Sequence, residues 1–208
     1  MGKLIEAVEK LKKSEVKNTV DTRMKEFKEL GKKPNKKIFN ELCFCIMTAN
    51  FNAERCIKIQ NDIGNGFCCL IEHELIERLK KLGHRFPETR GKYIAEAQQH
   101  KDTLKKTIEN FKNEHEMREW LVENVKGIGY KEASHFLRNI GFTNLALVDF
   151  HIINILVKHK LIEQPKTLTR KKYLEIEQVL KTLAQKTNLN LAELDLYLWY
   201  LETGKVLK

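Results

Sequence analysis

Leu121-Val122-Glu123-Asn124-Val125-Lys126-Gly127-Ile128-Gly129-Tyr130-Lys131-Glu132-Ala133 is the stretch on which the fold turns. One helix ends, two glycines bracket a single aliphatic residue, and a second helix begins. Glycine accepts positive φ and lets backbone approach a ligand with no Cβ in the way. The free N–H groups and the positive dipole end of the second helix then face outward, which suits a phosphate. Ile128 is expected to turn inward and pin the corner to the core. By itself Gly-x-Gly says little, because any tight helix–turn–helix corner can use one.

Lys131 adds chemistry to the corner. It falls in the first turn of the second helix, where the dipole disfavours a cation. Two roles fit: a solvated lysine that binds phosphate, or an amine nucleophile, which attacks carbon only in its neutral form. Asp149 supplies context. In Leu145-Ala146-Leu147-Val148-Asp149-Phe150-His151-Ile152 only it and His151 are polar. An aspartate so placed caps the helix starting near Phe150, serves chemistry, or does both.

Working outward, helical periodicity dominates and no strand-like alternation of any length appears, so the fold class is all-α. Val16, Val20, Met24 and Phe27 share a helix face ended by Gly31 and Pro34. Asn35 is the expected N-cap of the next helix, with Ile38, Leu42 and Ile46 on its apolar side. Further helices are predicted from about Ala53 to Ile63 and over Leu75, Leu79 and Leu82 to Gly83. His84 to Lys92 reads as a basic loop, and periodicity resumes at Tyr93. Asn113 with Glu116, and Asn190 with Glu193, have capping-box spacing. Trp120 is expected in the core. The last helices are predicted over about 150–159, 169–186 and 190–203.

Composition narrows the partners. The 208 residues carry a net charge of +10, which attracts polyanions in a salt-dependent way. A solvated surface rich in lysine would give the same charge, so charge alone does not decide for nucleic acid. No apolar run approaches the ~20 residues of a membrane span, and the N-terminus has no signal-peptide core. The expected location is cytoplasmic, with the nucleoid. Cys43, Cys45, Cys56, Cys68 and Cys69 match no zinc spacing and are expected to be buried thiols acting as small hydrophobes.

Taken together, the hairpin from Val125 to Ala133 and the segment Val148-Asp149-Phe150-His151-Ile152 resemble the helix–hairpin–helix/Gly-Pro-Asp superfamily of DNA glycosylases. The Lys131-to-Asp149 separation of 18 residues is that of its endonuclease III-like members. One departure is that Asn144-Leu145-Ala146 stands where the superfamily has its proline. The four-cysteine iron–sulfur pattern of endonuclease III and the adenine glycosylases is absent, since no cysteine follows Cys69. The ending Leu194-Asp195-Leu196-Tyr197-Leu198-Trp199-Tyr200-Leu201-Glu202-Thr203-Gly204-Lys205-Val206-Leu207-Lys208 resembles the tail of the compact archaeal and bacterial 8-oxoguanine DNA glycosylase/AP lyases.

That resemblance implies a bifunctional repair enzyme acting on duplex DNA that holds a damaged base. Lys131 would be the nucleophile and Asp149 the stabiliser of positive charge on the sugar. Gly127 and Gly129 would form the phosphate-binding hairpin. Trp199 would stack on the flipped base and Lys208 would read it, through its main-chain carboxylate. Phe86 is a further candidate for the opposite face of the base. Met47-Thr48-Ala49-Asn50-Phe51-Asn52-Ala53-Glu54-Arg55 resembles the loop that enters DNA opposite the lesion, with Asn50 filling the vacated space and Arg55 contacting the estranged base. Each also has a plain structural account: Trp199 at the edge of a leucine stripe, Lys208 in a frayed tail, Asn50 at a helix end. No metal or redox cofactor is expected, although hairpin carbonyls suit a structural monovalent ion. The chain is expected to work as a monomer with no membrane partner. Two helical lobes with a cleft between them are predicted, residues 34–143 ending in the helix–hairpin–helix, and residues 1–33 with 144–208. The alternatives are a glycosylase for oxidised pyrimidines and a non-catalytic DNA-binding module.

Overall fold

A computed structural model describes residues 1–208 as helices joined by short turns, with no strand. In chain order the α-helices are α1 (Gly2–Leu11), α2 (Val16–Gly31), α3 (Asn35–Thr48), α4 (Ala53–Ile63), α5 (Glu72–Lys81), α6 (Pro87–Ala97), α7 (Leu104–Glu109), α8 (Glu114–Asn124), α9 (Tyr130–Asn139), α10 (Phe150–Lys158), α11 (Arg170–Thr187) and α12 (Leu191–Thr203). Short polar side chains start many of them. Asn52, Asn113, Asp149, Thr169 and Asn190 each accept a hydrogen bond from the backbone N–H three residues on, satisfying a donor the helix cannot. Glu193 returns the favour to Asn190 N at 3.0 Å, completing a capping box. No helix is long and apolar enough to cross a membrane.

The apolar interior falls into two clusters. One is built from α3 to α9, between Ile38 and Leu145. The other joins α1 and α2 to Ala146, Val148 and α10 to α12. Helix α3 is the axle of the first, with every residue from Ile38 to Thr48 buried. The clusters meet where α2 and α9 end side by side. A Cβ on Gly31 would sit 2.1 Å from the Ile140 carbonyl oxygen, so only glycine permits this backbone approach. A buried bidentate pair also crosses between them. Arg118 on α8 donates to both Glu177 oxygens on α11, at 2.6 and 3.1 Å, and Glu177 also accepts from Ala146 N at 3.0 Å.

Four local expectations change. Asn35 does not cap α3; Pro34 holds that position. The Asn35 side chain instead spans to another element, donating to the Asp102 carbonyl at 2.7 Å and accepting from Lys105 N at 2.8 Å. The basic loop is shorter than predicted, because α6 already begins at Pro87. Proline is pre-set for the first helical position, and Glu88 in the first turn suits the dipole, so basic composition misled. Trp120 lies on the rim of the first cluster rather than within it, half-buried beside His100 and Phe111. Cys69 is exposed, while the other four thiols are buried as expected.

Candidate active site

The hairpin is a tight turn between α8 and α9. Ile128 is buried, and its N–H donates to the Val125 carbonyl at 3.2 Å. Gly127 takes φ +85°, and the Tyr93 ring lies 2.3 Å from where its Cβ would be. Only one glycine uses the left-handed region, however. Gly129 has φ −99° and serves as the N-cap of α9, its N–H donating to Glu132 Oε2 at 3.3 Å. Lys131 is the second residue of α9. Its side chain is 25% exposed, and Nζ lies 3.1 Å from Glu132 Oε1. One glutamate therefore ties the hairpin backbone and the lysine together.

Asp149 caps α10, with Oδ1 accepting from Ile152 N at 2.9 Å. The strand-like segment before it is held from α11. Tyr173 Oη donates to the Ala146 carbonyl at 2.7 Å and accepts from Val148 N at 3.2 Å. Burial pushes the Tyr173 hydroxyl well above its usual range, so it stays a donor. Asp195, on α12, pairs with Arg138 and feels the charge of both Lys131 and Asp149. Burial raises its carboxyl to about 6, Arg138 beside it pulls downward, Asp149 pushes up and Lys131 pulls down. Both residues thus lie within the electrostatic reach of one buried carboxylate.

Aromatic and imidazole groups surround this point. His151, two residues after Asp149, meets the Trp199 ring edge-on at 4.4 Å, and Phe150 packs on His151 at 3.8 Å while remaining 66% exposed. Trp199 is half-buried, and its Nε1 has no hydrogen-bond partner. His135, one turn along α9 from Lys131, is buried with Nε2 unpartnered. Burial first, then Arg138 and Lys131, hold its imidazole neutral, and the Lys208 main chain opposes them only in part. After α12 the chain turns at Gly204 and crosses to the first cluster. Lys205 pairs with Glu54 on α4, and the Lys208 side chain is anchored on α3 and α4.

The remaining candidates gather next to α3. Asn50 is exposed with φ +58°, at the turn after α3. Arg55 is exposed and lies over the Phe51 ring, 5.5 Å from its centroid. Phe86 is half-buried at the start of α6, flanked by Arg85 and Arg90 at 5.0 and 5.8 Å. Arg90 donates to the Ala49 carbonyl at 2.7 Å and His84 Nε2 lies 3.1 Å from the Met47 carbonyl, so the α5–α6 turn and the Asn50 turn are one assembly. Burial pushes the Cys56 thiol up and the charges of Lys131 and Arg90 oppose it, so both lie within electrostatic reach of that thiol.

The structure therefore brings Lys131, Asp149, Trp199 and Lys208 around one region, with Asn50, Arg55 and Phe86 on its α3 side. Sequence reasoning missed Asp195, His135, Glu41, Gln60 and Asn139. A signal existed for Glu41: it interrupts the apolar run from Ile38 to Met47, where a charge needs a partner. Nothing local marked the others.

A helix–hairpin–helix protein, with a part-buried lysine at one helix N-terminus and an aspartate capping the next helix, is what the fold and site define. Comparison with known proteins places it more closely. Residues 20–189 match the family model described as 8-oxoguanine DNA glycosylase. The chain is 54% identical over 206 residues, 99% of each chain, to a protein of Methanocaldococcus jannaschii named 8-oxoguanine DNA glycosylase/AP lyase. A protein of Korarchaeum cryptofilum with the same name is 48% identical, covering 99% of this chain and 98% of its own. The crystal structure of the M. jannaschii protein in complex with DNA containing 8-oxoguanine superposes with a TM-score of 0.96 over 99% of both chains. The chain belongs to the 8-oxoguanine DNA glycosylase family.

Proposed function

We propose that the protein is a bifunctional base-excision repair enzyme: it removes 8-oxoguanine from duplex DNA and cleaves the strand at the resulting abasic site. The observation that carries the reading is Lys131 in the first turn of α9 and Asp149 capping α10, both within electrostatic reach of buried Asp195, in a chain that matches, over 99% of its length, a relative solved with 8-oxoguanine DNA. Lys131 Nζ, once deprotonated, attacks C1′ of the damaged nucleotide. The glycosidic bond breaks and its electron pair leaves with the base, which takes up a proton. The nitrogen, now bonded to C1′, loses a proton. The C1′–O4′ bond breaks with its electron pair going to O4′, which is protonated, so the sugar opens to a Schiff base. Loss of a C2′ proton expels the 3′ phosphate, and hydrolysis frees the lysine. Asp149 stabilises the positive charge that develops on the sugar. No step calls on a metal or redox group, and a monovalent ion on the hairpin carbonyls would serve structure alone.

A base must leave the stack before this chemistry can reach it. The half-buried Trp199 ring offers it a stacking face, with Phe86 a candidate for the other. The terminal carboxylate of Lys208 accepts hydrogen bonds from the base edge. Asn50, held out by its left-handed turn, fills the gap in the duplex, and Arg55 contacts the estranged base. Gly127 and Gly129 present the hairpin backbone to phosphate. The enzyme acts as a monomer, in the cytoplasm on chromosomal DNA. Borohydride trapping on an 8-oxoguanine duplex, with a thymine glycol duplex beside it, tests the reading. A covalent complex is expected with 8-oxoguanine and none with Lys131→Gln; trapping only on thymine glycol, or undiminished trapping by the variant, overturns it.

A further inference from the structure

Lys208 is held far more closely than a free chain end requires. Its Nζ lies 2.8 Å from Glu41 Oε2, 2.5 Å from Gln60 Oε1 and 4.2 Å from the centroid of the Phe44 ring. The Lys208 side chain is 19% exposed and that of Glu41 only 3%. Glu41 also has partners beyond the lysine. Its Oε2 accepts from Gln60 Nε2 at 3.0 Å, and its Oε1 from Asn139 Nδ2 at 2.7 Å. Asn139 Oδ1 then accepts from Arg138 Nε at 3.1 Å and Nη2 at 2.9 Å, and Arg138 pairs with Asp195. An unbroken line of hydrogen bonds, buried beyond its first link, thus runs from Lys208, through α3 and α9, to the Asp195 carboxylate.

Stability does not account for an ion pair here. Desolvating two charges offsets most of their attraction, and an apolar residue filling the same space holds a fold equally well. What a satisfied buried pair supplies, and an apolar contact does not, is a defined position for its members. The tail has other fastenings: Lys205 pairs with Glu54 through side chains 58% and 45% exposed, Val206 packs on the second cluster, and the Lys208 main chain meets buried His135.

We propose that Glu41 is a positioning residue for base recognition. It clamps the Lys208 ammonium, sets the terminal carboxylate over the base pocket, and registers that carboxylate against α9, which carries Lys131. The proposal rests on the carboxylate role given to Lys208 above. A preformed abasic site presents no base to read, so the clamp governs excision and not strand cleavage at such a site.

Single-turnover excision of 8-oxoguanine and β-elimination on a preformed abasic duplex, measured on the full chain, separate the two. E41Q keeps the volume and loses the charge; K208M keeps the terminal carboxylate and loses the ammonium. A misplaced recognition group costs on the order of 100-fold, so E41Q is expected to lower excision by about that factor and leave abasic-site cleavage unchanged. The double variant E41Q/K208M is expected to excise no more slowly than the slower single variant, because both remove one interaction. Equal loss of both activities in E41Q, no loss of excision, or multiplied losses in the double variant overturns the proposal. Should E41Q fail to fold, K208R and K208M decide: faster excision by K208R supports the clamp, and equal rates sink it. A glycine added after Lys208 displaces the carboxylate and keeps the ammonium. Wild-type excision by that extended chain removes the carboxylate reading itself, whatever E41Q does.

Discussion

Lys131 and Asp149, the proposed catalytic pair, and Lys208 are held in opposite ways. Asp149 is fixed by Ile152 N, and the Lys131 turn by Glu132 on Gly129, all within three residues in sequence. Lys208 is fixed by Glu41 and Gln60, which are 167 and 148 residues away. The first arrangement follows from helix ends, where free N–H groups demand a cap and turn the capping residue outward. The second exists only when both lobes are folded and α12 delivers the tail across to α3. The proposed chemistry thus sits on local caps, whereas the proposed base-reading group is held by long-range contacts.

Breaking the local half has the largest expected effect. Lys131→Gln should abolish borohydride trapping and lower excision by about 1000-fold or more, since no other amine occupies that position. The cycle at Asp149 sharpens the point. Asp149→Asn keeps a side chain that caps α10 equally well and loses the charge, so excision should fall by about 100-fold with the melting temperature almost unchanged. Asp149→Ala should lose the same activity and a further ~1 kcal/mol of stability, read from denaturant midpoints. Equal stability of the two variants would show that the cap contributes nothing.

The long-range half is best broken at Arg118. Arg118→Met leaves buried Glu177 without its bidentate partner, keeping only the Ala146 N–H and the more distant Lys181 and His115, and should destabilise the chain by about 3–5 kcal/mol in urea unfolding. Replacing both members by apolar residues should recover much of that loss. Tyr173→Phe removes the hydroxyl that holds Ala146 and Val148, at an expected cost of about 1–2 kcal/mol and with a measurable loss of excision through Asp149.

The smallest effect is in pH. His135 is held neutral, well below its ordinary 6.5, chiefly by burial. Below that pH the unfolded chain binds a proton that the folded chain refuses. The stability is therefore present above about 6.5 and lost as pH falls, by up to ~1.4 kcal/mol per pH unit until the folded imidazole itself titrates. His135→Gln should flatten that acid limb of the stability curve, and an unchanged slope would show that another group sets it.

Much of the fold was legible because its determinants are short-range. The helices around Asn113, Asp149 and Asn190 announce themselves through capping residues, and the hairpin through Gly127 and Gly129. Errors arose where composition was read in place of local stereochemistry. The basic residues from His84 to Lys92 suggested a loop, yet Pro87 starts a helix there and buries Arg90. Asn35 has the right type for a cap but reaches another element instead. Only one of two equivalent-looking glycines adopts positive φ, because a cap position needs extended backbone and a turn does not.

From the amino-acid sequence alone came the helical class, the hairpin, Lys131 and Asp149, each a matter of periodicity or spacing within some twenty residues, and the family resemblance, to which the tail from Leu194 and the missing cysteines were added. Tertiary structure decided the rest: that Asp195 stands in the field of both catalytic candidates, that His135 is neutral, and that Lys208 is clamped by Glu41. Those facts depend on burial and on partners brought together from distant parts of the chain. Desolvation gives a carboxylate or an imidazole its character, and no stretch of sequence carries its own dielectric surroundings.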